Sequence, residues 1–121
     1  MKTLTKAESE IMLILWQLGE ANVSTIIEQM PTPKPAYNTV STIVRILEQK
    51  EFVGYQKEGR SHIYHPIVSK EDYKKTTSNL MANTYFGGSF KNMVSFFVQK
   101  QDLSIQELES IFNELKSNKD A

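Results

Sequence analysis

The chain has 121 residues, enough for one domain or a small domain with an appendage, and enough to bury a core without covalent staples. It holds no cysteine, which excludes disulfides, thiolate zinc sites and thiol redox chemistry, and its fourteen basic residues balance fourteen acidic ones, so net charge names no polyanionic partner. The opening MKTLTKAESE lacks an apolar signal-type stretch and no apolar run approaches the ~20 residues of a membrane span, so a soluble cytoplasmic protein with no membrane insertion is expected.

Thr5 and Glu8 form a T-x-x-E capping box, and Ala7, Ile11, Ile14, Leu15 and Leu18 follow at helical spacing until Gly19 stops the run. Asn22 caps a short second helix, VSTIIEQM, which Pro31, Pro33 and Pro35 terminate. A third helix starts near Pro35 and carries Val40, Ile43, Val44 and Leu47 on its core face, with Trp16 of the first helix expected to pack against it. From Phe52 the period changes to two, EGRS turns the chain with Gly59 and Arg60 at the tip, and HIYHP alternates back, which is the pattern of a short antiparallel hairpin.

The third helix carries an unusual polar stripe. Asn38, Ser41, Thr42 and Arg45 lie at i, i+3, i+4 and i+7 opposite the apolar residues, with Thr39 beside them. Short hydroxyl and amide side chains compete for the backbone and weaken a helix, so a solvated face would ordinarily carry Glu and Lys. Small donors and acceptors do let a helix approach base edges: Asn pairs with adenine, a Thr methyl meets the thymine methyl, and Arg pairs with guanine or phosphate. Helix, helix, helix, hairpin is the order of a winged helix, in which the third helix enters the major groove. Lys57 and Arg60 on the hairpin are then placed to hold phosphates, with Ser61, His62 and Tyr64 as further donors to the backbone. Residues 31–66 carry a surplus of two positive charges, whereas residues 1–30 carry two net negative ones.

After Pro66 the chain returns to helices. SKEDYKKTTSNLMANTYF ends at Gly87 and Gly88, Ser89 caps a helix bearing Phe90, Met93, Val94, Phe97 and Val98, and Ser104 with Glu107 forms a second capping box. Leu103 and Leu108 are spaced as a hydrophobic staple, and Ile111, Phe112 and Leu115 continue the stripe. Phe90, Met93, Val94, Phe97, Leu108, Ile111, Phe112 and Leu115 are more apolar surface than three unpartnered helices can cover, which predicts either a dimer seam over them or their packing back on the winged helix in a monomer. The fold class is therefore mainly α with a small β-hairpin: a winged helix-turn-helix with a DNA-binding face over residues 1–68, then three helices over 69–121 that form a helical dimerisation domain if their apolar stripe meets a second copy.

Enzyme chemistry has no support in the chain, and neither does a cofactor. No nucleophile stands with a base, no carboxylates pair on an apolar face and no glycine-rich phosphate loop is present. His62 and His65 point to opposite faces of a strand and make a poor metal pair.

Four segments together resemble the penicillinase-repressor family, the BlaI/MecI/CopY transcriptional regulators: LTKAESEIMLILW, NTVSTIVRILEQKEFV, GRSHIYHP and YFGGSFKNMVSFF. The resemblance spans nearly the whole chain and implies a homodimer that represses transcription from a palindromic double-stranded DNA operator. Carried over residue by residue, it places base reading on Asn38, Thr39, Ser41 and Thr42 and wing contacts on Arg60 and Ser61. Asn38 and Ser41 stand where well-known members carry Lys and Arg, so the resemblance carries no operator sequence. In antibiotic-responsive members a membrane-bound sensor metalloprotease triggers cleavage at an Asn-Phe bond. The corresponding dipeptide here is Phe96-Phe97, which lacks the Asn. Copper sensing through the cysteine pair of other members is excluded by the absence of cysteine. Two other readings stand beside the repressor: a winged helix used as a protein-interaction module, and a repressor that senses a small ligand.

Overall fold

The computed structural model describes residues 3–100 and 103–120. Thr5 opens α1 (Lys6–Leu18) with both halves of the capping box in place: its hydroxyl accepts from the Glu8 amide at 3.2 Å, and the Glu8 carboxylate accepts from the Thr5 amide at 2.8 Å. Asn22 Oδ1 likewise accepts from the Thr25 amide at 2.8 Å and starts α2 (Val23–Glu28). The prolines then interrupt the chain, and α3 (Tyr37–Gln49) begins directly after Ala36 without a side-chain cap. The Lys34 ammonium donates to the carbonyls of Ile27, Glu28 and Met30 at 2.8–3.1 Å, closing the end of α2 and fixing the turn into α3.

α3 ends in a Schellman arrangement. The Phe52 amide donates to Leu47 O at 2.9 Å and the Glu51 amide to Glu48 O at 3.0 Å, with Glu51 at φ 67° in the left-handed position where glycine is usual. Phe52 and Leu47, both fully buried, supply the apolar contact expected of that motif. The chain passes straight into β1 (Val53–Glu58) and back along β2 (Ser61–Pro66), paired antiparallel from Val53 with Pro66 to Glu58 with Ser61 around Gly59 and Arg60. A reciprocal pair of 2.9 Å hydrogen bonds between Ala21 and Tyr64 ties this hairpin to the α1–α2 connection.

One core joins these elements: Ile11, Met12 and Leu15 of α1, Val23 and Ile26 of α2, Val40, Val44 and Leu47 of α3, and Phe52, Val53 and Tyr64 of the hairpin. The α3 stripe is the one the periodicity predicts. The α1 stripe is rotated by one residue, because Glu8 rather than Ala7 is buried, with Met12 inside and Leu18 exposed. Trp16 packs against this core and has further partners that its spacing does not reveal: it donates Nε1–H to Val68 O at 2.8 Å and lies beside Tyr73, with ring centroids 6.1 Å apart.

The chain forms two compact units, Met1–Thr77 and Ser78–Ala121. α4 (Lys70–Tyr85) runs from the first into the second, and its start is held in the first by Tyr73, which packs edge-on against Phe52 and accepts from the Leu4 amide at 2.9 Å. In the second unit Gly87 and Gly88, at positive φ, end α4, Ser89 Oγ caps α5 (Phe90–Lys100) through the Asn92 amide, and Ser104 Oγ caps α6 (Ile105–Asp120) through the Glu107 amide. Among the described residues no helix is long and apolar enough to cross a membrane.

Candidate nucleic-acid interface

The amphipathic pattern of α3 sends Val40, Val44 and Leu47 inward and leaves Asn38, Thr39, Thr42 and Arg45 exposed, with Ser41 half-buried. Asn38, Ser41, Thr42 and Arg45 form one continuous stripe, as their spacing predicts. Thr39 lies round the helix from it and borders a different, apolar groove beside Pro31, Pro33 and Pro35. Thr42 Oγ1 donates to the Asn38 carbonyl at 2.8 Å. Its hydroxyl hydrogen is therefore engaged within the helix, and what Thr42 offers outward is a methyl group and acceptor lone pairs.

The hairpin meets this stripe at a polar cleft of about 290 Å³. Ser41 and Arg45 line it from α3, and Arg60, Ser61 and His62 from the hairpin, with Tyr37 and the start of α2 completing the rim. Four residues chosen from sequence, Ser41, Arg45, Arg60 and Ser61, thus converge on one site although they come from two elements. Lys57 is exposed on β1 outside the cleft, where it pairs across the strands with His62.

Tyr64 plays a different part from the outward donor that the sequence proposes. It is 5% exposed, both its backbone groups are bonded to Ala21, and its hydroxyl lies 3.5 Å from His62 Nδ1. Burial pushes its phenol up from the ordinary 10.0, with Glu48 adding to the rise and Arg45 opposing it, so the ring remains a neutral member of the cleft floor. His62 stacks on Tyr55 with centroids 4.5 Å apart and planes 10° apart. His65 faces Gly54 on the other side of the hairpin, where a Cβ on Gly54 would lie 3.0 Å from its ring. The two histidines do not converge. Tyr37 and, at the start of α2, Asn22, Val23 and Ser24 are cleft residues that sequence reasoning does not single out for the site; for Tyr37 the available signal is its place at the first position of α3, one residue before the polar stripe.

In the second unit the residues proposed for a seam divide into two groups. Met93, at 7% exposure, belongs to the unit's own interior together with Ala82, and Leu108 is half-buried. Phe90, Val94, Phe97, Ile111, Phe112 and Leu115 are all exposed, Phe112 at 63%. Phe96 and Phe97 sit inside α5, their centroids 5.8 Å apart and each near Phe86.

Residues 4–117 match the family model described as penicillinase repressor. The chain is 33% identical over 111 residues to the methicillin resistance regulatory protein MecI of Staphylococcus aureus strain N315, covering 91% of this chain and 90% of that one. It is 26% identical over 117 residues to the penicillinase repressor of Bacillus licheniformis, covering 96% and 91%. Among solved structures, the DNA-binding domain of the repressor BlaI superposes with a TM-score of 0.52 at 28% identity, covering 60% of this chain and 94% of that domain. With the element order, the α3 stripe and the hairpin already in agreement, the chain belongs to the penicillinase-repressor (BlaI/MecI/CopY) family of winged-helix, DNA-binding transcriptional repressors.

Proposed function

We propose that this repressor acts as a homodimer on a palindromic operator, with α3 of each protomer in the major groove and the hairpin wing on the flanking backbone. The observation that carries the reading is the convergence of Ser41, Arg45, Arg60 and Ser61 on one cleft beside the exposed Asn38 and Thr42. Asn38, Ser41 and Thr42 read base edges, Thr39 lies at the margin, and Arg45, Lys57, Arg60 and Ser61 hold phosphates. Residues 1–68 supply DNA binding and residues 69–121 supply dimerisation, through the exposed apolar side chains of α5 and α6. A two-fold dimer matches a two-fold operator and places both reading helices on one face of the duplex.

Release follows from loss of the seam. Cleavage at Phe96-Phe97, triggered by a membrane-bound sensor metalloprotease, would cut α5 in the middle, and it requires local unwinding because a protease binds its substrate extended. A clipped species appearing in induced cells supports this route, and its absence during derepression counts against it. The protein works in the cytoplasm, where the operator is.

The experiment for the main reading is a fluorescence-anisotropy titration against a duplex from the protein's own upstream region and a scrambled duplex, each at low and physiological salt. A DNA reader loses affinity steeply with salt, log K falling by ~0.9 per phosphate neutralised per log unit of salt. Preference for the native duplex at physiological salt establishes the operator reading. Indifference to DNA at both salts transfers the α3 stripe to a protein partner.

A further inference from the structure

We propose that the cleft between α3 and the wing is the seat of a single backbone phosphate, and that His62 takes up a proton as the phosphate enters, so that DNA affinity rises as pH falls. The inference rests on the DNA-binding reading and deepens it at His62, which that reading offers only as a further hydrogen-bond donor.

The argument begins with what faces His62. Arg45 on α3 and Arg60 at the hairpin tip share the cleft with it. Lys57 stands directly across the strands from it, and the Tyr55 ring is stacked on it. Tyr64 presents its hydroxyl to Nδ1, Tyr37 stands on the rim, and Glu48 is the α3 carboxylate whose charge reaches Tyr64. Arg45, Arg60 and Lys57 thus surround the ring with positive charge. A phosphodiester placed between the two guanidiniums offsets that positive charge and sets a negative one beside the ring, which favours the imidazolium in the complex. Imidazole is the side chain whose ordinary titration falls near neutral pH, so the proton is available there. By linkage, a phosphate that raises proton affinity is bound more tightly when the proton is present.

The geometry favours His62 over His65 for this role. His62 lines the cleft, whereas His65 lies against Gly54 on the other face of the hairpin. As the chain's only two histidines, they make a paired test.

The full-length protein is titrated against its upstream duplex and against the scrambled duplex from pH 5.5 to 8.5, at constant ionic strength in phosphate-free buffer. Affinity for both duplexes is expected to rise as pH falls through the imidazole range, by up to about tenfold per pH unit for each protomer engaged. His62→Gln is expected to flatten the profile while His65→Gln keeps it. A second measurement needs no variant: calorimetric titration of the wild-type protein in two buffers of different ionisation enthalpy reads proton uptake directly, expected to reach up to about one per bound protomer near neutral pH. Salt-sensitive DNA binding with no proton uptake and a flat wild-type profile overturns the proposal and leaves the repressor reading intact. Absence of DNA binding at every pH overturns both.

Discussion

The Glu8 carboxylate lies 2.7 Å from the Lys50 ammonium, joining the first turn of α1 to the residue that follows α3. Glu8 is 4% exposed and is held further by the Thr5 amide, so a charge enters the core only with its partners already in place. Lys50 also reaches the Thr3 carbonyl at 3.4 Å.

Replacing Glu8 by Ala leaves Lys50 without its carboxylate and removes half of the capping box. The expected cost is about 3 kcal/mol of folding stability, read by urea denaturation at neutral pH. The same carboxylate makes the fold acid-sensitive. Burial tends to raise its pKa, but the hydrogen bonds from Lys50 and Thr5 outweigh burial and hold it below the ordinary 4.5. Its stabilisation is therefore complete above the unfolded value and disappears as pH falls through the lower folded one. The stability gap between wild type and Glu8→Gln should be wide at neutral pH and narrow in acid. An equal gap at both would show that the ion pair contributes nothing.

If Thr42 reads bases as proposed, its internal hydrogen bond to the Asn38 carbonyl leaves the methyl, rather than the hydroxyl hydrogen, as the reading group. Thr42→Ala should weaken operator binding by about 1–3 kcal/mol, and Thr42→Val, which keeps the methyl, by clearly less. Asn38→Ala should cost about 1–3 kcal/mol on the operator with little effect on scrambled duplex, whereas Lys57→Ala should weaken both about equally. Competition titrations with the two duplexes measure each case. Equal losses on both for Asn38→Ala would remove it from the base-reading set.

Glu51 holds a left-handed conformation at φ 67° that costs an L-residue about 1–2 kcal/mol and glycine almost nothing. After allowing for the greater freedom of glycine in the unfolded chain, Glu51→Gly should stabilise the protein by about 0.5–1 kcal/mol. A shift of the urea midpoint to higher concentration at unchanged slope confirms it, and a lower midpoint contradicts it.

Phe112 is 63% exposed, so Phe112→Glu should leave the protomer's helices intact while placing a charge at the proposed seam. A two-fold interface counts each lost aromatic twice, so dimer dissociation should strengthen by at least about 3 kcal/mol. Sedimentation equilibrium reads this directly, and truncation before Phe90 should abolish the dimer outright. A dimer of wild-type strength in either variant would move the seam elsewhere.

Local chemistry was legible in the sequence and distant partnership was not. The capping box at Thr5, the Asn22 cap, the α3 stripe and the turn at Gly59 and Arg60 are each set by residues within a few positions of one another, so spacing alone reveals them. Glu8 was read only as a cap because its second role depends on Lys50, 42 residues away. For Trp16 an indole on an apolar helix face signals burial but does not say which carbonyl its N–H will find; that partner, Val68, lies 52 residues on. The residues proposed to hold phosphate are legible as types, while the cleft depends on how the hairpin sits beside α3. Tyr37 and the inward turn of Tyr64 emerge only from that tertiary placement.

Only Lys50, Glu51 and Phe52 separate α3 from β1, and the Phe52 carbonyl accepts from Ile67 at 2.8 Å to close the base of the hairpin. α3 and the hairpin are therefore tied like the two jaws of a calliper set to one opening. On the proposed reading a duplex has to present its major groove and its flanking backbone at that fixed interval, and sequences differ in how readily they do so. Base pairs that no side chain touches thereby become part of the operator's address, through the stiffness with which they hold the groove.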